Sequence, residues 1–204
     1  MKKISTLLIA LGLTMGSAAQ AATFDFTGTI SNHNDVIRIP FSLINTSSDV
    51  KVWTDSFLNG LNFDPITAVW KNIAGSWSKV GENDDNAGIA AGQTIYDSGL
   101  TFSSLESGDY LFTIATYNNF SVSNNLSDGF SFDNQTPIAL ANWTQPANHA
   151  GMGNAWSVHL SGVDSAIAPV PEPETYALTL LGMGLLGMRV MRSRQRRITP
   201  QLQA

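Results

Sequence analysis

From Thr23 onward the chain alternates between apolar and polar side chains. In TFDFTGTI, Phe24, Phe26 and Ile30 fall on one side, with Thr23, Asp25, Thr27 and Thr29 on the other. DVIRIPFSLI lines up Ile37, Ile39, Phe41 and Leu43. DYLFTIATY sets Tyr110, Phe112 and Ile114 against Leu111, Thr113 and Ala115. AWSVHLSG alternates Trp156, Val158 and Leu160 with Ser157, His159 and Ser161. A period of two is the mark of half-buried antiparallel strands, because successive side chains leave opposite faces of a sheet. VKVWTDSF, PITAVWKNI, SWSKVG and GLTFSSL predict further strands, punctuated by the Gly, Asn, Asp and Ser that turns need. No part of the body sustains a 3.6-residue period. The pattern predicts an all-β domain over residues 22–165, an antiparallel β-sandwich or jelly roll. Pro40 has no N–H to give a central ladder, so its strand is expected at an edge or at a bulge. From about Asn118 to Met152 the alternation fails. That stretch reads as long loops with one or two strands.

Two apolar runs break the pattern, one near each end. The first spans Ile4 to Met15, follows Lys2 and Lys3, and leads into Ala19-Gln20-Ala21. A basic start, an apolar run and an A-x-A end predict a signal peptide over residues 1–21, with the mature chain starting near Ala22. The second run spans Tyr176 to Met188 and has no polar face. A proline-rich linker over residues 166–175 precedes it, which favours an extended chain. Arg189, Arg192, Arg194, Arg196 and Arg197 follow it. Spanning a bilayer takes about 20 residues. The apolar run with its flanks approaches that length, and arginines at one end hold that end on the cytoplasmic side. The expectation is a transmembrane helix over residues 176–190 and a basic cytoplasmic tail over residues 191–204.

Charge sharpens this picture. The formal net charge of −5 hides a strongly acidic body, because most basic residues lie in the two end segments. An acidic body excludes nucleic acid as a partner, since phosphate neutralisation needs clustered Lys and Arg. Without cysteine there are no disulfides, thiol nucleophiles or thiolate zinc sites.

The order of Pro171-Glu172-Pro173, an apolar helix and an arginine cluster resembles the PEP-CTERM sorting signal of Gram-negative bacteria. The resemblance covers Val170 to about Arg197. It implies export through the inner membrane, transient anchoring, and recognition of Pro171-Glu172-Pro173 by an exosortase that cuts nearby. It also implies a surface or extracellular destination, often alongside exopolysaccharide and biofilm. ITPQLQA after the arginines is a longer tail than the family usually has.

One polar cluster stands out in the body. VGENDDNAG places Glu82, Asp84 and Asp85 among Asn83 and Asn86. Ca²⁺ takes six to eight hard oxygen ligands, and this loop is rich in them. The spacing is not that of an EF-hand, and a solvated acidic turn is the competing reading. Phe63-Asp64-Pro65, Asn83-Asp84-Asp85 and Gly108-Asp109-Tyr110 together resemble the bacterial pre-peptidase C-terminal-like β-sandwich domains, over roughly Phe24 to Tyr117. Some members of that family bind Ca²⁺ at such loops. The resemblance implies Asp64, Asp84 and Asp85 as ligands, helped by the neighbouring asparagines.

Catalytic signals are sparse. No H-E-x-x-H, G-x-S-x-G or P-loop occurs. The histidines are His33, His149 and His159, and His159 reads as a solvated residue on a polar strand face. YDSGL offers Ser98 without a base placed by any motif. Trp70 and Trp156 fit core faces, which leaves Trp143 as the tryptophan to expect against a ligand. The expected role is an exported, exosortase-processed surface or matrix protein without enzymatic activity. A Ca²⁺-dependent carbohydrate-binding module and a secreted hydrolase with an acidic pair are the alternatives. Such a pair converges only in space and leaves no motif.

Overall fold

A computed structural model describes residues 23–144 and 151–169. The signal peptide with Ala19 and Ala21, His149, the Pro171-Glu172-Pro173 triplet, the apolar run and all five C-terminal arginines lie outside the described residues. Among the described residues no helix is long and apolar enough to cross a membrane.

The described chain is all-β. Its strands are Thr23–Thr29 (β1), Val36–Leu43 (β2), Val50–Thr54 (β3), Pro65–Ile73 (β4), Ser76–Asn83 (β5), Gly99–Phe102 (β6), Gly108–Thr116 (β7), Ala155–Ser161 (β8) and Ser165–Ala166 (β9). They form two sheets, ordered β1-β8-β3-β6 and β5-β4-β7-β2-β9. Every strand pair is antiparallel. The inward faces share one core. Ile39, Phe41, Phe112 and Ile114 from one sheet meet Val50, Val52, Val158 and Leu160 from the other. Each fully buried side chain of this kind contributes about 1.5–3 kcal/mol, so the core can hold the sandwich without disulfides. Gly28 lies on the inner face of β1 because Trp156 fills the space beside it. A Cβ there would come within 2.5 Å of the indole.

Pro40 lies in a strand that is neither at the edge nor bulged, because β2 sits between β7 and the short β9. Its carbonyl accepts the Ile167 N–H at 2.9 Å, so its hydrogen-bonding side faces the sheet edge, where only the two-residue β9 pairs. Ala166 thus belongs to β9 and Ile167 is hydrogen-bonded to β2, in place of the linker expected from 166 onward. Among the described residues between β7 and β8 lie short 3₁₀ turns at Leu126–Asp128 and Leu140–Asn142, and no named strand. Part of this excursion folds over the outer face of the larger sheet. Phe130 packs there on Trp70, Leu111 and Ala68.

The register gives the sandwich two distinct ends. Thr23 pairs with Ser161 and Ser42 with Ser165, so β1 begins, β8 ends and β9 begins at one end. The start of β4, the end of β5, the end of β7 and the start of β6 lie at the opposite end.

Candidate functional site

The far end gathers the acidic residues. Asp64 sits between Phe63 and the first residue of β4, and is only 2% exposed. Asp84 and Asp85 follow β5 directly. One carboxylate oxygen from each of the three lies within 4.8 Å of the others. Oxygens on opposite sides of a Ca²⁺ ion are about 4.8 Å apart, twice a bond of about 2.4 Å. The spacing therefore suits a shared cation. Crowding also shows in the acidities. Burial first, then the charges of Asp84, Asp85 and Asp97, push Asp64 up from 3.8 to about 8. Burial and Asp85 push Asp84 up to about 6. Burial raises Asp85 as well. Asn83 Oδ1 and Asp84 Oδ1 are buried with no hydrogen-bond partner.

The loop that carries the cluster is braced from within. Gln93 Oε1 accepts the N–H groups of Ile89 and Ala90, and its Nε2 donates to the carbonyls of Thr54 and Asn86. Asp97 is fully buried. Its Oδ1 accepts from Thr54 Oγ1 and Phe57 N–H, and its Oδ2 from Thr94 N–H and Oγ1. Sequence reasoning missed both residues. The available signal was a short T-x-x-D turn, in which the aspartate caps the threonine N–H three residues before it. Ser98 beside it is no nucleophile in waiting. It is fully buried, and its Oγ bonds Thr67 Oγ1 and the Asn83 carbonyl.

One member of the expected ligand set goes elsewhere, and a second uses its amide N–H within the loop. Glu82 accepts from Lys79 Nζ at 2.8 Å and from the Ser121 N–H and hydroxyl. The cause is a β-bulge. Lys79 faces Trp70 while Gly81 faces Val69, so one extra residue shifts the alternation and turns Glu82 to the outer face. Asn86 spends its amide on the Gly99 carbonyl at 3.4 Å and holds the loop.

The tryptophan and histidine expectations also change. Trp143 is buried in the core against His33 and Phe132, with ring centroids 5.2 and 5.9 Å away. It is not available as a surface contact. His33 is fully buried, with Nε2 3.0 Å from Gln135 Oε1 and Nδ1 accepting the Ile138 N–H. His159 is not a solvated side chain. Its Nδ1 is 2.6 Å from Asp25 Oδ1, its Nε2 is 3.0 Å from Asp55 Oδ2, and its ring stacks on Trp53. Asp25 on β1 and Trp53 on β3 are its cross-strand partners. Ser157 Oγ lies 3.4 Å from Nε2, but the nearer Asp55 carboxylate already engages that nitrogen. The group ties three strand segments together.

That tie has a definite pH dependence. Burial alone would lower the His159 pKa, but its bonds to Asp25 and Asp55 outweigh burial and raise it above 6.5. A folded-state pKa above the unfolded one stabilises fully below the unfolded value, and the gain is lost as pH rises through the folded value. Asp55 sets the acid limit. Burial would raise its pKa, but bonds from Ser157 and His159 outweigh this and hold it below 3.8. Its contribution is present above 3.8 and lost as pH falls through the depressed value. His159→Gln is therefore expected to cost most near pH 6, with the gap to the parent protein closing as pH rises above 6.5. Thermal melts of both proteins across pH 5–9 check this. A gap that is constant with pH would mean that His159 acts by packing alone.

Residues 169–197 match the family model described as the PEP-CTERM protein-sorting motif. No curated protein matches the chain. The match begins at Pro169, three residues after β9 ends. The chain thus joins a β-sandwich to a motif recognised by exosortase, which marks an exported protein with a cell-surface or extracellular destination.

Proposed function

We propose that this protein is exported across the inner membrane of a Gram-negative bacterium, held there by its C-terminal helix, and cut by an exosortase. The β-sandwich then serves at the surface or in the extracellular matrix as a non-enzymatic module, linked to exopolysaccharide and biofilm. The observation that carries this reading is the sorting motif at residues 169–197.

Processing tests it directly. Pro171→Ala with Pro173→Ala is expected to leave membrane insertion intact and abolish cutting. Mass spectrometry of the protein recovered from a host that has the exosortase reads both ends of the chain. A normally shortened product from the double variant would remove the sorting reading.

A second reading concerns Ca²⁺, favoured by the convergence of Asp64, Asp84 and Asp85. These three would supply charged oxygens, and the buried, unpartnered Asn83 Oδ1 next to them would supply a neutral one. The donor set is all hard oxygen, as Ca²⁺ requires. The cation would neutralise the crowded carboxylates and fix the loops between β3 and β4 and between β5 and β6. This fits the resemblance to pre-peptidase C-terminal-like domains and gives the ion a structural role.

A further inference from the structure

Among the described residues, only one half of the outer face of the five-stranded sheet is covered. Phe130 and Leu126 lie over Trp70 there. In the other half a cavity of about 310 Å³ opens to solvent. The sheet fixes the order of its floor. Trp77 on β5 faces Asn72 on β4, Ser42 on β2 faces Asp109 on β7, and Ser42 also faces Ser165 on β9. With strand order β5-β4-β7-β2-β9, these residues form one row across the strands, one from each. Neighbouring strands are about 4.8 Å apart, so the row is about 19 Å long.

We propose that this row is the floor of a binding groove for a neutral polysaccharide segment, with Trp77 as the stacking platform and Asn72 and Asp109 as hydroxyl partners. A pyranose ring has C–H-rich faces and a rim of hydroxyls. An aromatic ring covers the faces, while amides and carboxylates bind the rim. Trp77 is half-buried against the Trp70 cluster, so its ring is ordered before a ligand arrives and less freedom is lost on binding. Asn72 Oδ1 accepts the Gly75 N–H at 2.9 Å, which leaves its amide N–H groups as donors. Asp109 is exposed, and its carboxylate makes no hydrogen bond or ion pair with any described residue. The Ser42 and Ser165 hydroxyls, 2.7 Å apart, continue the row. Pro40, two residues before Ser42 on β2, adds apolar floor beside the row.

Charge and geometry narrow the occupant. Among the described residues the groove lining holds one carboxylate and no cation, so it disfavours a uronate or sulfated chain. A peptide adding as a strand needs an exposed backbone edge, whereas this face offers side chains. The inference adds a ligand class to the surface role proposed above and rests on the groove alone, independently of the cutting step.

Isothermal titration of the full chain in a non-glycosidic detergent tests it, with cellohexaose, chitohexaose and mannohexaose as probes and an oligogalacturonate as the charged control. At least one neutral probe is expected to bind. Trp77→Ala should weaken that binding about tenfold, or about 1.4 kcal/mol. Asp109→Asn should weaken it severalfold with an unchanged melting midpoint, which keeps the test valid if Trp77→Ala unfolds. Trp53→Phe, on the other sheet, should leave binding as it was. No binding by any of the three, equal binding of the oligogalacturonate, or full binding by both groove variants would overturn the proposal. Cutting at the sorting motif is read separately by mass, so a normally processed protein that binds no probe loses the groove and keeps its sorting role.

Discussion

Adding about 10 mM Ca²⁺ to the chelated protein is expected to raise its melting midpoint by about 8 °C. The size follows from mass action. A ligand that binds only the folded state stabilises by about 2.7 kcal/mol at a hundredfold excess over its dissociation constant. For a domain of this size each kcal/mol moves the midpoint by about 3 °C. Extracellular Ca²⁺ modules bind at about 0.1–1 mM, so about 10 mM gives that excess at the tighter end of the range. Asp84→Asn and Asp85→Asn should each abolish the response. In chelator both variants should melt slightly above the parent, because each relieves repulsion at Asp64. The pH profile carries the same sign. Asp64 titrates near 3.8 unfolded and at about 8 in the fold, so the chelated fold binds more protons and loses stability as pH rises across that window. With Ca²⁺ present the cation takes over from the proton, and the decline should flatten. Equal midpoints in chelator and in Ca²⁺ would remove the metal reading and leave an acidic loop.

The strands were legible because each carries its own evidence. Phe24, Phe26 and Ile30 alternate with polar residues whatever β1 pairs with, and the same holds for β2, β7 and β8. Register is not local, and the misreadings follow from that. His159 sits on a polar face, as its pattern says. Only the pairing of β8 with β1 and β3 sets Asp25 and Trp53 beside it. Glu82 belongs to an acidic run, but a single extra residue in β5 reverses its face. Trp143 lies in a stretch with no period, and its burial depends on long-range contacts with His33 and Phe132. Asp64, by contrast, was reached through the Phe63-Asp64-Pro65 resemblance. The structure places it beside Asp84 and Asp85, although the sequence separates them widely.

Asp97→Ala is expected to be the most damaging single change at this end of the sandwich, at about 3–5 kcal/mol. Asp97 is fully buried, and its two oxygens accept four hydrogen bonds from Thr54, Phe57 and Thr94. Removing it leaves the Phe57 and Thr94 N–H groups without acceptors, and each unsatisfied buried donor costs about 1–3 kcal/mol. Charged acceptors make stronger bonds than neutral ones, which lifts the total above the lower end of that sum. Asp97→Asn keeps the shape but turns an N–H₂ toward donors, so it should fall between the parent and the alanine variant. The effect differs in kind from that of Asp84→Asn. Loss of Asp97 should lower stability in chelator as well as in Ca²⁺, because it loosens the β3–β4 and β5–β6 loops whether or not a cation is bound. It should also weaken the Ca²⁺ response, since Asp64 and Asp84 are then held less firmly. Urea unfolding of the parent, Asp97→Ala and Asp97→Asn proteins, each with chelator and with Ca²⁺, separates these effects. An Asp97→Ala protein within about 0.5 kcal/mol of the parent would show that Gln93 and the strand pairing hold the loops without it.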